Sequence, residues 1–375
     1  MRIFVFNGNK GGVSKYRVVD PHVKLSELST WEVKLGDENA LLDSGFSHDV
    51  LFVHNSVATN PIIYARVMEL SSKTKLIVDV DDHWILKRTN PLWGRFKMDK
   101  VPEKITALIR AADLVTTATK YLASKIGSLN PNTHVIPNSI DQNEFQFQHN
   151  PTRRDSVVFG MATGSSHFED IKLLKGFVNK LQSLPVGFAL AGFDIGMKMG
   201  DKIEQNFDKS LWKRYEEVLL DNYTVVPKEH REFLLKGIPN KPYEGKSNYT
   251  RIWTKPIETY GKSYNEFDVA LAPLVDDEFN RMKSELKIIE AGFHGIPIVC
   301  SDLPMYADVI THGENGFLIE ENKSHKDFLK FAKVLMDEPF RTQMGQNLRK
   351  TVLERFELSE VTKKRIEIYK TLLND

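Results

Sequence analysis

The sequence predicts an α/β protein built from two doubly wound, Rossmann-like domains. Three observations predict it. The chain has 375 residues, enough for two domains of ordinary size. Short β-branched and aromatic runs alternate with helix-patterned stretches along both halves, as parallel sheets with crossover helices require. Each half also opens in the same way, with an apolar run, a glycine-containing loop and a helix: RIFVF-NGNKGGVSK near the start, and SVVFGMA-TGSSH near residue 160.

Composition narrows the class. With 41% hydrophobic and 27% charged residues the chain is globular rather than disordered. A net charge of +1 gives no global electrostatic signal for nucleic acid or an anionic membrane. The single cysteine, Cys300, excludes an intrachain disulfide framework, and its apolar strand setting reads as an inert buried thiol. No apolar run approaches the roughly 18 residues of a spanning helix. MRIFVFNG reads as a strand entering a turn, not as a signal peptide, so a cytoplasmic location is expected.

In chain order, the first strand leads into Gly11 and Gly12, which let backbone amides approach a ligand, with Lys10, Lys15 and Arg17 nearby. This loop lacks both the dinucleotide GxGxxG and the P-loop pattern, and an unliganded tight turn explains it equally well. DVLFVHNS and KLIVDVDDHW are further strands with polar residues at their carboxyl ends, where open α/β sheets keep ligands. Asp79, Asp81, Asp82 and His83 cluster there; such a group could bind a divalent metal, serve as a base or cap the next helix. His54 ends the preceding strand. Residues 84–104 read as a basic, aromatic loop: six cations (Lys87, Arg88, Arg95, Lys97, Lys100, Lys104) stand against Asp99 and Glu103, interleaved with Trp84, Trp93 and Phe96. Such a loop suits an anionic acceptor, stacked sugars or bases, or a membrane surface; packed aromatics with solvated charges are the plainer alternative.

ADLVTTATKYLASKIGSLNPNTHVIPNSID closes a first domain, 1–145, as strand, helix, turn and strand. A polar linker follows at about 142–155. In the second domain, 152–355, Gly164, Ser165 and Ser166 present amides and hydroxyls suited to a diphosphate, with His167 close by and Asp170 in the first turns of the next helix. Residues 279–302 are the most informative stretch. They read as a loop, a helix N-capped by Ser284, a Gly295-Ile296-Pro297 stop and a buried strand, IPIVC. Leu286, Ile289 and Phe293 form the core stripe, and Lys287, Glu290 and His294 share another face. A cation in the first turn and a carboxylate one turn later suit a nucleotide, with Lys287 and the helix N-terminus at the phosphates and Glu290 at the ribose hydroxyls. Spacing alone is equally compatible with a solvated surface face. Residues 324–375 are helix-patterned.

The stretch APLVDDEFNRMKSELKIIEAGFHGIPIVCSD resembles the nucleotide-sugar-binding core of GT-B glycosyltransferases, in the retaining family-4-like group (glycosyl transferases group 1) and its phage and bacterial subgroup. VIPNSID, Asp268 and Pro273 extend the resemblance, which covers most of the chain and weakens away from 268–302. It implies two Rossmann-like domains facing across a cleft, with the last helix, about 358–375, packed back on the first domain. It implies transfer of a sugar from a nucleoside-diphosphate donor, UDP-sugar above all, to a hydroxyl acceptor, with retention and without a metal or other required cofactor. The Gly11-Gly12 loop would face the donor. Asp82 and His83 would lie near sugar or acceptor, and Glu290 would be the ribose-binding carboxylate. Lys283, Ser284 and Lys287 would take the departing phosphate charge, since the second half shows no match to the family's usual Arg. One position departs from the pattern: the carboxylate expected eight residues before Glu290 is Met282. The acceptor is a glycan, a small molecule or, for a phage enzyme in its host's cytoplasm, a modified DNA base met by the 84–104 segment. A nucleotide-sugar 2-epimerase and a non-catalytic nucleotide-binding module are the alternatives.

Overall fold

The computed structural model describes residues 1–8, 11–43, 45–88, 90, 92–151, 155–164, 166–181, 184–192, 196–199, 202–205, 210–238, 240–320 and 324–373. The chain divides into two compact units. The first comprises Met1–Gln142, Asp277–Leu286 and Glu354–Asp375; the second comprises Asn143–Asp276 and Lys287–Leu353. The fold is α/β, with one six-stranded sheet in each unit.

In the first unit the strands are β1 (Arg2–Phe6), β2 (Glu32–Gly36), β3 (Val50–His54), β4 (Lys75–Val80), β5 (Leu114–Thr117) and β6 (Thr133–Val135). They lie in the order β2-β1-β3-β4-β5-β6, and every pair is parallel. β3 is buried at all five positions and β4 at five of six, because helices cover both faces. One face carries Phe4, Leu51, Val53, Leu76 and Val78, packed with Val67, Ile105 and Leu108 from the helices Pro61–Leu70 and Val101–Ala111. The other face carries Ile3, Val5, Phe52, Ile77 and Leu114, packed with Leu25 of the helix Asp20–Leu28 and with Val361, Ile366 and Tyr369. Those last three belong to the helix Leu358–Lys370, so the end of the chain completes the first unit's core. Its entry is fixed twice. Ile140 N donates to Phe356 O at 3.1 Å and Leu358 N to Ile140 O at 3.0 Å, while Glu357 caps the helix through Ser359 N at 2.7 Å.

The second unit continues with β7 (Val157–Ala162), β8 (Val186–Ala191), a small antiparallel pair β9 (Gly196–Met199) and β10 (Lys202–Gln205), then β11 (Tyr249–Ile252), β12 (Val269–Ala272), β13 (Ile298–Ser301) and β14 (Phe317–Ile319). Its main sheet, β11-β8-β7-β12-β13-β14, is also parallel throughout. In both sheets the chain first builds outward from the opening strand, then returns to its other side. The reversal falls between β1 and β3 in the first and between β7 and β12 in the second. Beyond the carboxyl ends of strands at such a reversal, α/β sheets hold their ligands.

Three local expectations need correction. Residues 84–104 are not a loop: they contain the helix Trp93–Met98 and the start of Val101–Ala111, and Trp84 is buried with Nε1 donating to Thr106 Oγ1 at 3.2 Å. The linker is partly core. Gln146 and Phe147, on a short 3-10 turn, are buried in the second unit because Gln146 Oε1 accepts from Gly261 N at 2.9 Å. The helix after Ser284 runs Leu286–Phe293, which leaves Ser284 two residues ahead of it. A separate short helix, Glu278–Arg281, capped by Asp277 Oδ1 from Asn280 N, takes up the preceding residues.

Candidate functional site

The acidic cluster at the end of β4 resolves into separate pairs. Asp79 is fully buried and takes a two-pronged contact from Arg17, Nε to Oδ2 at 2.9 Å and Nη2 to Oδ1 at 2.5 Å, with Thr116 Oγ1 also donating to Oδ1. The third prong of Arg17, Nη1, donates to Ile136 O at 2.6 Å. Arg17 lies on a π-helical turn, Ser14–Val19, which aims it inward. The pair therefore links the turn after β1 to β4, β5 and the segment after β6. Burial penalises both charges, yet their mutual attraction holds Arg17 raised and the Asp79 carboxyl lowered. Arg17 is therefore a core cation and not the loop cation its position suggested. Lys15 is paired with Asp20 at 2.7 Å, and Lys10 lies outside the described residues.

Asp81 turns the other way, to His54: Nε2 to Oδ1 is 2.9 Å, while Ser56 N donates to His54 Nδ1. Against the cost of burial, the His54 charge and hydrogen bond hold the Asp81 carboxyl down at about 2. Asp82 is half-buried. His83 is buried, with Nδ1 3.2 Å from Ile85 O, and Nε2 has no hydrogen-bond partner among the described residues. Burial lowers its pKa, so the ring is neutral near pH 7 and the Nδ1 contact leaves the Nε2 lone pair as an acceptor. Gly12 is half-buried and Gly11 exposed; Lys15 N closes onto Gly11 O at 3.1 Å, so the loop turns tightly into the helix. A shallow recess at the reversal of this sheet is lined by Phe6, Asn7, Gly8, Ser14, His54 and Ser56.

In the second unit the polar residues gather at the reversal between β7 and β12. Gly164 follows β7, and its carbonyl accepts from Tyr215 Oη at 3.2 Å. Gly192, after β8, has φ +123°, and a Cβ there would stand 2.0 Å from Thr163 O, so only glycine lets the two strand ends close up. Ser165 lies outside the described residues. His167 Nδ1 is 2.7 Å from Asp170 Oδ2, and the other oxygen of Asp170 accepts from Val275 N at 2.8 Å. One buried carboxylate thus joins the loop after β7 to the loop after β12, at the reversal itself.

The helix Leu286–Phe293 ends at Gly295, whose φ of +67° forms the left-handed stop expected of Gly-Ile-Pro. Its Glu290 is fully buried. Tyr260 Oη donates to Oε1 at 2.5 Å, Tyr264 Oη to Oε2 at 2.7 Å and Lys287 Nζ to Oε2 at 2.9 Å. A buried carboxylate without such donors would be strongly disfavoured, and these three offset its desolvation. Lys287 keeps its side chain one-third exposed. His294 is turned away from this group: Nδ1 meets Glu290 O at 2.9 Å and Nε2 meets Gln146 O at 3.2 Å, and burial brings its pKa down to about 4. The two tyrosines, absent from the sequence reading, were detectable in principle. They stand four residues apart just before β12, and a carboxylate on an apolar helix needs donors from somewhere.

Lys283 and Ser284 fall in the segment counted with the first unit, where Lys283 lies over the Phe279 ring. Met282 is buried in that unit's core with Leu122 and Ile126, which accounts for an apolar residue at this position: a carboxylate there would be an unpaired buried charge. Among the described residues no group of three or more His, Cys, Asp or Glu side chains is arranged to hold a metal ion.

Residues 286–351 match the family described as glycosyl transferases group 1. The likeness to that family is confined to this part of the chain. The match contains Lys287, Glu290 and the Gly-Ile-Pro stop, and includes β13 and β14. A capsular polysaccharide biosynthesis glycosyltransferase, CapM, of Staphylococcus aureus is 25% identical over 112 residues, 30% of this chain and 28% of that protein. An uncharacterised glycosyltransferase of Methanocaldococcus jannaschii is 26% identical over 113 residues, again 30% and 28%. The aligned part thus spans only 28% of the length of these relatives. Among solved structures, Anabaena HepE in complex with UDP superposes with a TM-score of 0.63 at 13% identity, covering 99% of this chain and 100% of that one. The sucrose-phosphate synthase of Thermosynechococcus elongatus gives 0.66 at 11% identity, covering 100% and 99%. These structures share the fold, which is GT-B.

Proposed function

We propose that the protein is a glycosyltransferase that moves a sugar from a nucleoside-diphosphate donor, UDP-sugar by preference, to a hydroxyl acceptor. The observation that carries the reading is the Asp170 carboxylate, tied to both His167 and Val275 at the sheet reversal of the unit that contains the family match. The UDP and UDP-glucose held by Anabaena HepE make UDP-sugar the first donor to try.

In this reading Gly164 and His167 meet the diphosphate, and Lys287 with the amides opening the helix Leu286–Phe293 takes the charge that develops on the departing phosphate. The Glu290 carboxylate accepts from the ribose. As the bond from the anomeric carbon to the phosphate oxygen lengthens, positive charge grows on the sugar. The fixed cations matter most at that moment, because the leaving oxygen gains negative charge only in the transition state. His83, neutral and with an acceptor lone pair at Nε2, is suited to take the acceptor hydroxyl's proton, with Asp82 beside it in the chain. Retention of configuration and independence of metal are parts of the proposal, as are a glycan, small-molecule or modified-base acceptor and a cytoplasmic setting.

The test is nucleotide release from UDP-, GDP-, ADP- and CDP-sugars without acceptor, with products followed by mass spectrometry. Slow hydrolysis of one donor, lost in Glu290→Ala, is the expected result. Isomerised donor would mean an epimerase, and no turnover with any donor and any hydroxyl acceptor would overturn the enzymatic reading.

A further inference from the structure

Exposed apolar side chains are unevenly spread over the molecule. Among the described residues, five large ones are more than half exposed: Ile62, Ile85, Leu92, Phe145 and, most of all, Met98 at 83%. Four of these five belong to the first unit, on elements that meet around the opening turns of the helix Val101–Ala111. Ile62 stands in the first turn of the helix Pro61–Leu70, where Lys104 Nζ lies 5.7 Å from the Tyr64 ring centroid. Ile85 follows Trp84, whose Nε1 donates to Thr106 Oγ1. Leu92 precedes the helix Trp93–Met98, and Met98 ends it. Single exposed apolar residues are ordinary, but a concentration of them marks a surface with a partner.

The helix Trp93–Met98 shows how this surface is made. None of its six residues is buried. Phe96 leans on the first unit's core and fixes which side faces inward. At about 100° per residue, Met98 then stands on the opposite side, with Arg95 on one flank and Lys97 on the other. Arg88, Arg95, Lys97 and Lys100 are all exposed. Arg88 and Lys97 lie 5.7 and 5.2 Å from the centroid of the half-buried Trp93 ring. Arg95 makes a loose pair with Asp99 at 3.5 Å, and Lys87 is taken by Asp277. The face therefore carries protruding apolar tips inside a surplus of positive charge.

We propose that this face of the first unit docks on the surface of an anionic lipid bilayer. Leu92 and Met98 enter the boundary between headgroups and acyl chains, and Ile62 and Ile85 extend the apolar contact from the adjoining elements. Arg88, Arg95, Lys97 and Lys100 pair with lipid phosphates. Trp93 lies at headgroup level, which suits a ring with an apolar body and a polar N–H. Charge alone would suit a nucleic acid equally well. The apolar tips decide against it, because they gain nothing from a sugar–phosphate backbone. Trp93, with two cations drawn to its ring, is also poorly placed to stack on bases. The docking goes beyond the transfer reaction proposed above and does not depend on it.

The experiment is co-sedimentation of the full chain, without nucleotide, with two kinds of vesicle. One is phosphatidylcholine alone, and the other is equimolar phosphatidylcholine and phosphatidylglycerol. Binding is expected to the mixed vesicles and not to the neutral ones. Leu92→Ser combined with Met98→Ser should weaken it by about tenfold or more. Arg95→Gln combined with Lys97→Gln should weaken it by about twentyfold, at roughly fivefold per cation. All four side chains are exposed, and melting of both variants within a few degrees of wild type verifies that folding is not the variable. No binding to the mixed vesicles overturns the proposal. Either double variant staying within about twofold of wild type overturns it as well. If that variant is the apolar one, and duplex DNA binds as tightly as the vesicles, the face belongs to a nucleic acid instead.

Discussion

The two sheets reverse in the same topological way, yet they use their polar residues for different ends. In the first unit the segment after β1 sends Arg17 into the interior, where it closes on Asp79, Thr116 and the Ile136 carbonyl. In the second, the segment after β7 keeps its polar residues at the rim: His167 is half-buried and is held by Asp170, which also anchors Val275. The same position in the same fold therefore acts as a bolt in one half and as a candidate ligand platform in the other. Titratable residues crowded at a strand end do not by themselves mark a site. Of the four residues that form such a cluster, Asp79 is in a core ion pair, Asp81 pairs with His54, His83 is a buried neutral histidine and Asp82 is half-buried.

The largest effect should come from breaking the bolt. Asp79→Asn or Arg17→Met leaves one buried partner uncompensated, and a loss of about 3–5 kcal/mol is expected in urea denaturation. A loss below about 1 kcal/mol would show that the pair does not hold the first unit together. On the other side of the comparison, Glu290→Ala should cost less in folding than in donor binding, on the order of 2–4 kcal/mol of nucleotide affinity by calorimetry. Unchanged affinity in a folded variant would remove Glu290 from the site. Lys287→Ala should lower turnover by at least about tenfold, with a smaller change in donor binding, because its charge matters most when the phosphate departs. Activity within about twofold of wild type would contradict that role.

A smaller effect tests the His54–Asp81 pair by pH. A carboxyl held down at about 2 in the folded chain stabilises it above the ordinary carboxylate range, and that gain is lost as pH falls. The stability difference between wild type and Asp81→Asn should therefore be full just above about pH 4, shrink toward pH 2, and shrink again at higher pH as His54, whose pKa the pair raises, loses its proton. A difference independent of pH over that range would mean that the pair's charge is not what stabilises it. The smallest effect is expected at Lys87→Ala. Its ion pair with Asp277 lies at the surface, with the lysine side chain half exposed, and less than about 0.5 kcal/mol should be lost in thermal denaturation.

Local signals carried the fold. β3 and β4 carry the apolar runs VLFV and LIV, the helix Leu286–Phe293 has a clear apolar stripe, and Gly295-Ile296-Pro297 stops it where the sequence says it must stop. Pairings between distant residues were not legible. Arg17 meets Asp79 across 62 positions and Tyr260 meets Glu290 across 30, and neither leaves a periodic trace. A partial cue existed in each case: an acid inside the apolar run IVDV, and a carboxylate on a helix otherwise made to be buried, both demand a donor from elsewhere. The basic segment 84–104 misled for the opposite reason. Composition showed its cations and rings but not that Trp84 is a core residue, nor that Arg88 and Lys97 both lie over Trp93. Met282 shows how a departure from a family pattern can have a packing cause, since it fills the first unit's core.

The most direct test of the account is amide hydrogen exchange of the full chain with and without UDP, read peptide by peptide. The account predicts protection concentrated in the second unit, over residues 163–170 at the end of β7 and 286–294 along the glutamate helix, with the Tyr260–Tyr264 turn altered as well. Saturating UDP that leaves those segments unchanged, or protection confined to other parts of the chain, would contradict it.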